Sequence, residues 1–454
     1  MVDIMKGPSI ALAVHLVLGS LTGPCAAQPN IVFMLMDDMG YADVSCYGAP
    51  DVVTPEIDKL ASQGVRFTHC YAMGAECTPS RTAILTGRYP QRVGGMECAI
   101  GTGNVGRYDD AEKLAQEENL GLPVSMAVLA PGLKAAGYET AVFGKWHLGY
   151  EEKFNPLDQG FDEFFGFLGG NVDYFTHEEL SDIPVLIEDR EVTDAEGYMT
   201  HLITDRAVEF LGRQTAGKRP FFLYLPYSVP HFPFQGPGDA ELGVFPDDQW
   251  TTGTREKYVE MLEDMDASVG RVLKALEENG MLLNTLVVFA SDHGAMKPGL
   301  NTPFRDYKGT LFDGGIRVPC IVRWPGKIET GVESAQVCSL MDLTASFLRV
   351  AGAEVRDGGE LDGIDILKHV QEGAEDFDRT LYWRARRGET TWRAVRFGDA
   401  KYVRKTVGSE TEEWLFDLSE DEGEQKNLLE RNKEIADDLK RMLAEWELGV
   451  RAKR

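Results

Sequence analysis

The chain is short of positive charge. Its 454 residues include 46 Lys and Arg against 73 Asp and Glu, a formal net charge of -27. A surface of that sign does not hold nucleic acid non-specifically and gains nothing from an anionic membrane. Any site for an anion must therefore be a local basic pocket in an acidic field, and the acidity itself reads as a solubility feature. Long apolar runs are missing as well, so no segment beyond the first thirty residues is suited to span a bilayer. Internal repeats and low-complexity tracts are absent. What remains is an ordinary globular composition, 43% hydrophobic and 26% charged, long enough for one large core and a smaller domain.

Cysteine is sparse, seven in all. Residues 1–27 read as an export signal. Lys6 supplies the positive start, Ile10 to Leu21 a mostly apolar stretch, and Cys25-Ala26-Ala27 small residues for cleavage. The stretch is too short to span a membrane, and Pro24 spoils a lipoprotein pattern. The expectation is export to the periplasm or the cell exterior, without stable membrane insertion. Cys25 would leave with the leader and Cys77 is singled out below. Cys46, Cys70, Cys98, Cys320 and Cys338 remain, an odd set whose pairing spacing does not reveal.

Strand-like runs occur at Asn30–Met36, Tyr138–Phe143, Phe221–Leu225, Thr285–Ala290 and Val318–Arg323. Helix-like stretches alternate with them: Pro55–Gln63, Val124–Ala136, Met199–Arg213, Arg255–Asn279 and Leu340–Ala351. That alternation predicts an α/β fold, a large mostly parallel sheet between helices. The pattern changes near Arg379. Leu381–Arg386, Thr391–Phe397, Ala400–Arg404 and Trp414–Leu418 read as an antiparallel meander, and Asn432–Leu448 as a terminal amphipathic helix. The expected division is a catalytic domain over 28–378 and a smaller α+β subdomain over 379–454.

The most informative stretch is Cys77-Thr78-Pro79-Ser80-Arg81 followed by Leu85-Thr86-Gly87-Arg88. Pro79 suits a first helical turn and Gly87 a helix stop. Cys77 then lies where free backbone N–H groups and the helix dipole attract an anion, with Arg81 one turn on. Physically this is a nucleophile built into an oxyanion-binding site. The string resembles the maturation signature of the type I, formylglycine-dependent sulfatases, arylsulfatase-like members of the alkaline phosphatase superfamily. The resemblance extends from about Pro29 to the end.

Other polar groups gather where strands end, the ligand-binding edge of open α/β sheets. Asp37-Asp38 follow the first strand, and Ser291-Asp292-His293-Gly294 follow another. Adjacent buried carboxylates need a compensating cation, and oxygen donors favour Ca²⁺ first and Mg²⁺ second. The resemblance implies metal ligands at Asp37, Asp38, Asp292, His293 and the formylglycine made from Cys77 by a maturation enzyme; many relatives carry Asn where His293 stands. Lys145 and His147, in Gly144-Lys145-Trp146-His147-Leu148-Gly149, would share a side of an extended segment. The resemblance implies that Lys145 binds sulfate and that His147 polarises the aldehyde hydrate. It further implies that His231, set among prolines, protonates the leaving alkoxide, and that Lys308 is a second sulfate-binding lysine. Asp313, where relatives often carry Glu, is expected to alter only loop support.

By that resemblance the chain is a sulfuric ester hydrolase, acting on sulfated carbohydrates or other sulfate esters through a covalent sulfo-enzyme intermediate, with Arg81 helping to hold the hydrate. Two alternatives stand beside it. One is a phosphonate monoester or phosphodiester hydrolase of the same superfamily. The other is a non-catalytic binder of sulfated glycans. Gly95–Pro123, Gly170–Tyr198 and Phe232–Thr254 lie between motifs and are the expected pocket walls. His177 and Arg107 within them are either substrate contacts or solvated loop residues.

Overall fold

The computed structural model describes residues 28–179, 183–214, 219–240, 249–355 and 360–451. The expected leader over residues 1–27 lies outside them. A ten-stranded sheet forms the centre. Its five middle strands are parallel, in the order Thr285–Ser291, Asn30–Met36, Phe221–Pro226, Glu139–Lys145 and Glu163–Phe167. Short strands flank them. On one side Cys320–Arg323 runs antiparallel to Thr285–Ser291, followed by Val65–Phe67 and Val332–Ser334. On the other a hairpin, Ile187–Glu188 and Glu191–Val192, closes the sheet.

The middle strands are apolar on both sides because both faces are covered. Phe33 and Leu35 pack with Ile84, Leu129, Leu340 and Phe347 from helices Cys77–Thr86, Leu129–Ala135 and Leu340–Val350. Val32, Met34 and Met36 point the other way. They meet Ile57, Ile203 and Met265 from helices Pro55–Ser62, Met199–Arg213 and Arg255–Glu278. Parallel strands deliver all their carboxyl ends to one edge, which brings Asp37-Asp38, Lys145, His231 and Asp292-His293 toward a common place.

Two expectations are modified. The helix expected over Val124–Ala136 is split into a single turn, Val124–Met126, and a helix, Leu129–Ala135. Pro131 supplies no N–H and fits only a first turn. Val128 N–H turns aside to Leu85 O at 3.0 Å. The strand expected over Val318–Arg323 is shorter and enters the sheet antiparallel.

The C-terminal part is a four-stranded antiparallel meander of equal strands, Thr380–Arg387, Thr390–Phe397, Ala400–Val407 and Glu410–Asp417, joined by two-residue turns. Helix Lys433–Gly449 covers one face through Ala436, Leu439 and Leu443. The other face places Trp383, Trp392 and Phe416 against Tyr71, Leu311 and Met341, so the C-terminal sheet packs on the catalytic part through a core of its own. The six described cysteines are free thiols.

Candidate active site

Helix Cys77–Thr86 is buried along its whole length. Its polar residues are satisfied internally: the Thr82 and Thr86 hydroxyls donate to carbonyls four residues back, each at 2.7 Å, and Ser80 Oγ donates to Gly74 O at 2.8 Å. It stops at Gly87, whose φ of 62° lies in the left-handed region, with Gly87 N–H donating to Ala83 O. The helix start is thereby fixed at the sheet edge, and Cys77 Sγ becomes the point on which the site converges.

Cys77 Sγ lies 3.2 Å from Asp37 Oδ1, 3.3 Å from Lys145 Nζ, 3.3 Å from His293 Nε2 and 3.9 Å from Lys308 Nζ. Lys145 Nζ also pairs with Asp37 Oδ2. Lys308 Nζ donates to both oxygens of Asp38, at 2.6 and 2.9 Å. His293 Nε2 points between Asp38 Oδ1 at 3.3 Å and Asp292 Oδ1 at 3.4 Å, its Nδ1 donating to Gly294 O. Asp38 has a φ of 62°, an uncommon conformation for a non-glycine residue. Its backbone N–H to Asp292 Oδ1 and the Tyr258 hydroxyl on its carbonyl hold it there.

Arg81 departs from the sequence-based expectation. Its fork is not open to an anion: Nε and Nη2 both donate to Asp292 Oδ2, at 3.1 and 3.0 Å, and Nη1 donates to Lys145 O at 2.7 Å. It orients a carboxylate of the cluster and the end of a strand. The backbone at His147 also differs. With φ at 57° it is not extended, so the side-by-side expectation for Lys145 and His147 fails. Lys145 reaches Cys77 while His147 donates Nε2–H to Ile100 O at 2.8 Å. His147 Nδ1 is then a buried lone pair without a partner. His231 places Nε2 3.7 Å from Asp38 Oδ2 and donates Nδ1–H to Phe232 O at 2.8 Å.

Burial is the largest influence on Asp37, Asp38, Asp292, His147 and His231. It raises Asp37, yet the buried cations beside it, Lys145 first and Arg81 with it, take that carboxyl well below the usual range. Asp38 and Asp292 are raised, burial and neighbouring negative charge outweighing their cations. Burial, Lys145 and Lys308 push His231 well down, and burial and Lys145 do the same to His147. Both shifts favour the neutral imidazole.

Ligand atoms of Asp37, Asp38, Cys77 and His231 lie within 4.8 Å of one another, as do those of Asp37, Cys77, Asp292 and His293. Three wholly buried carboxylates at one point, two of them held above their ordinary pKa, are the donor set of a hard divalent cation. A dication there would keep all three ionised. The residues fit such an ion.

Beyond Cys77 opens a cavity of about 440 Å³. Each of the three expected wall segments lines it: Ile100 and Arg107 from the first, Asn171 from the second, Phe232 and Trp250 from the third. His177 is not among the lining residues; its Nε2 bonds Gly197 O. Sequence reasoning missed Glu76 and Arg387. Glu76 abuts the motif but is no part of it, and Arg387 arrives from the C-terminal sheet, which no local signal announces.

Fold and site thus bring a buried cysteine into a metal-suited, cation-ringed pocket at the carboxyl edge of an α/β sheet. The sulfatase profile matches residues 29–353, and that of the N-sulphoglucosamine sulphohydrolase C-terminal region matches 304–448. N-acetylgalactosamine-6-sulfatase of Rattus norvegicus is 35% identical over 416 residues, covering 87% of this chain and 75% of its own. Arylsulfatase A of Bos taurus is 31% identical over 93% of this chain and 88% of its own. The crystal structure of Ps i-CgsB in complex with k-i-k-neocarrahexaose superposes with a TM-score of 0.80 at 30% identity, covering 92% of both chains. The chain belongs to the sulfatase family and is a sulfuric ester hydrolase with the alkaline phosphatase superfamily fold. Among the described residues no helix is long and apolar enough to cross a membrane.

Proposed function

We propose that this sulfatase is exported and removes sulfate from carbohydrates, using Cys77 converted to formylglycine. The carrying observation is the convergence of Asp37, Lys145, His293 and Lys308 within 3.9 Å of Cys77 Sγ. That is the atom which conversion to an aldehyde replaces with oxygen. Cys77 is 1% exposed inside a buried helix, so the maturation enzyme must act on the segment before it folds. The hydrated aldehyde supplies two hydroxyls on one carbon, one to take the sulfuryl group and one whose deprotonation expels it. A divalent cation, Ca²⁺ or Mg²⁺, held by Asp37, Asp38, Asp292 and His293, supplies Lewis acidity and charge.

The chain's own residues do the rest. Lys145 and Lys308 sit on either side of the nucleophile position and anchor sulfate oxygens, the preorganised electrostatic part of catalysis. Arg81 fixes Asp292. His231 presents Nε2 toward the ester. A bound sulfate brings negative charge beside Lys145 and Lys308, offsetting what holds this imidazole neutral, so that it protonates and donates to the leaving oxygen. His147 Nδ1, a lone pair without a donor, accepts the proton of the second hydroxyl.

The test is sulfate release, measured by ion chromatography, from sulfated oligosaccharides and an aryl sulfate, with Cys77→Ala alongside. Cys77-dependent release that chelation abolishes and added Ca²⁺ or Mg²⁺ restores is expected. Faster turnover of phosphonate or phosphodiester substrates would contradict it.

A further inference from the structure

Arg107 lines the catalytic cavity, and nothing in the desulfation chemistry uses it. Its Nε is buried without a hydrogen-bond partner, and among the described residues its side chain meets no carboxylate. The neighbouring cations are all paired. Arg384 Nε lies 2.7 Å from Glu97, Arg386 Nη1 3.3 Å from Asp109, and Arg387 Nη1 3.3 Å from Glu76. Lys145 and Lys308 hold Asp37 and Asp38. Among the described residues, one guanidinium at this cavity is thus without an acid, in a chain with a surplus of 27 acidic charges. A buried donor without an acceptor costs free energy that a ligand oxygen removes.

The position is braced. Gly388 N–H donates to Arg107 O at 2.6 Å, the preceding turn is closed by Gly101 N–H on Val105 O at 2.9 Å, and the Arg386 guanidinium lies over the Tyr108 ring. A guanidinium carried on a braced backbone can present a planar fork matched to carboxylate or sulfate oxygens. The sulfate to be cleaved is already provided for by Lys145 and Lys308.

Resting on the reading of a carbohydrate sulfatase, we infer that Arg107 binds a second anionic group of the substrate. The preferred saccharide then carries a carboxylate or a further sulfate besides the ester that is cleaved. The cavity, about 440 Å³, falls in the size range of small-ligand sites.

The experiment compares kcat/KM for three saccharides bearing the same cleavable sulfate: one with a neutral neighbour, one with a uronate neighbour and one with an additional sulfate. The wild type is expected to favour at least one doubly anionic form by about 10- to 100-fold, mainly through KM, the range of a charged hydrogen bond. In Arg107→Gln that ratio collapses toward one; Arg107→Lys, which keeps charge but loses the fork, falls between. Which of the two anionic forms responds tells carboxylate from sulfate. Equal kcat/KM for all three in the wild type, or a ratio unchanged in a folded Arg107→Gln protein, overturns the inference. Hydrolysis of an aryl sulfate with none of the saccharides cleaved would instead overturn the carbohydrate reading.

Discussion

As the proposed proton donor, His231 should differ from the other site residues in that its value depends on the ester. A carbohydrate alkoxide is a poor leaving group and needs a proton; a nitrophenolate does not. His231→Ala should lose about 10²- to 10⁴-fold in kcat on a sulfated sugar and far less on an aryl sulfate. Steady-state kinetics on both ester types check this, and equal losses would make His231 a binding residue. Much of this chemistry was legible because the motif residues sit beside strand ends, and parallel topology brings strand ends together. Asp37, Lys145 and Asp292 were found that way; Lys308 was found only through the family resemblance of its stretch. Arg81's attachment to Asp292 and the left-handed backbone of His147 were not, because both depend on what lies opposite in three dimensions. The same holds for Arg107, which sequence left open between substrate contact and solvated loop.

At the scale of elements, the strand Glu139–Lys145 must deliver Lys145 while lying between two neighbours. Gly144 has a φ of 132°, and a Cβ there would lie 2.1 Å from Pro226 O in the adjacent strand. Neither the dihedral nor the backbone oxygen yields cheaply. Gly144→Ala should therefore destabilise the fold by about 3 kcal/mol or more and lower activity with it. Thermal unfolding checks this; an unchanged midpoint would show that the strand relaxes. Apolar runs and turn residues disclosed four of the five middle strands, all but Glu163–Phe167, and most helices to within a few residues. The short flanking strands escaped notice, since Val65–Phe67 and Ile187–Glu188 are too brief to show a period and exist through their partners. Pro131 was the visible warning that the helix after Pro123 would be interrupted.

Across the whole molecule, a buried ionic knot ties the C-terminal sheet to the catalytic part. Asp313 receives Lys401 Nζ at 2.5 Å and the Tyr71 hydroxyl at 2.8 Å, with Arg317 Nη1 at 3.4 Å. Far from a minor loop support, it joins three elements. Burial raises its pKa, but Lys401, Arg317 and Arg396 outweigh burial and hold it well below the usual carboxylate range. A carboxyl depressed on folding stabilises fully above its unfolded value of about 3.9 and loses that contribution as pH falls toward the folded value. Asp313→Asn should cost about 3–5 kcal/mol near neutral pH. The gap to wild type should narrow below about pH 4. Melting curves of both proteins across pH decide it, and a gap independent of pH would assign the loss to packing.

Cys77 is proposed to act only after conversion to formylglycine. Preparations made with varying amounts of maturation enzyme can be assayed for sulfate release and for the converted fraction by peptide mass. Activity should be proportional to that fraction, on a line through the origin. Substantial turnover by protein whose Cys77 is entirely unconverted would contradict it.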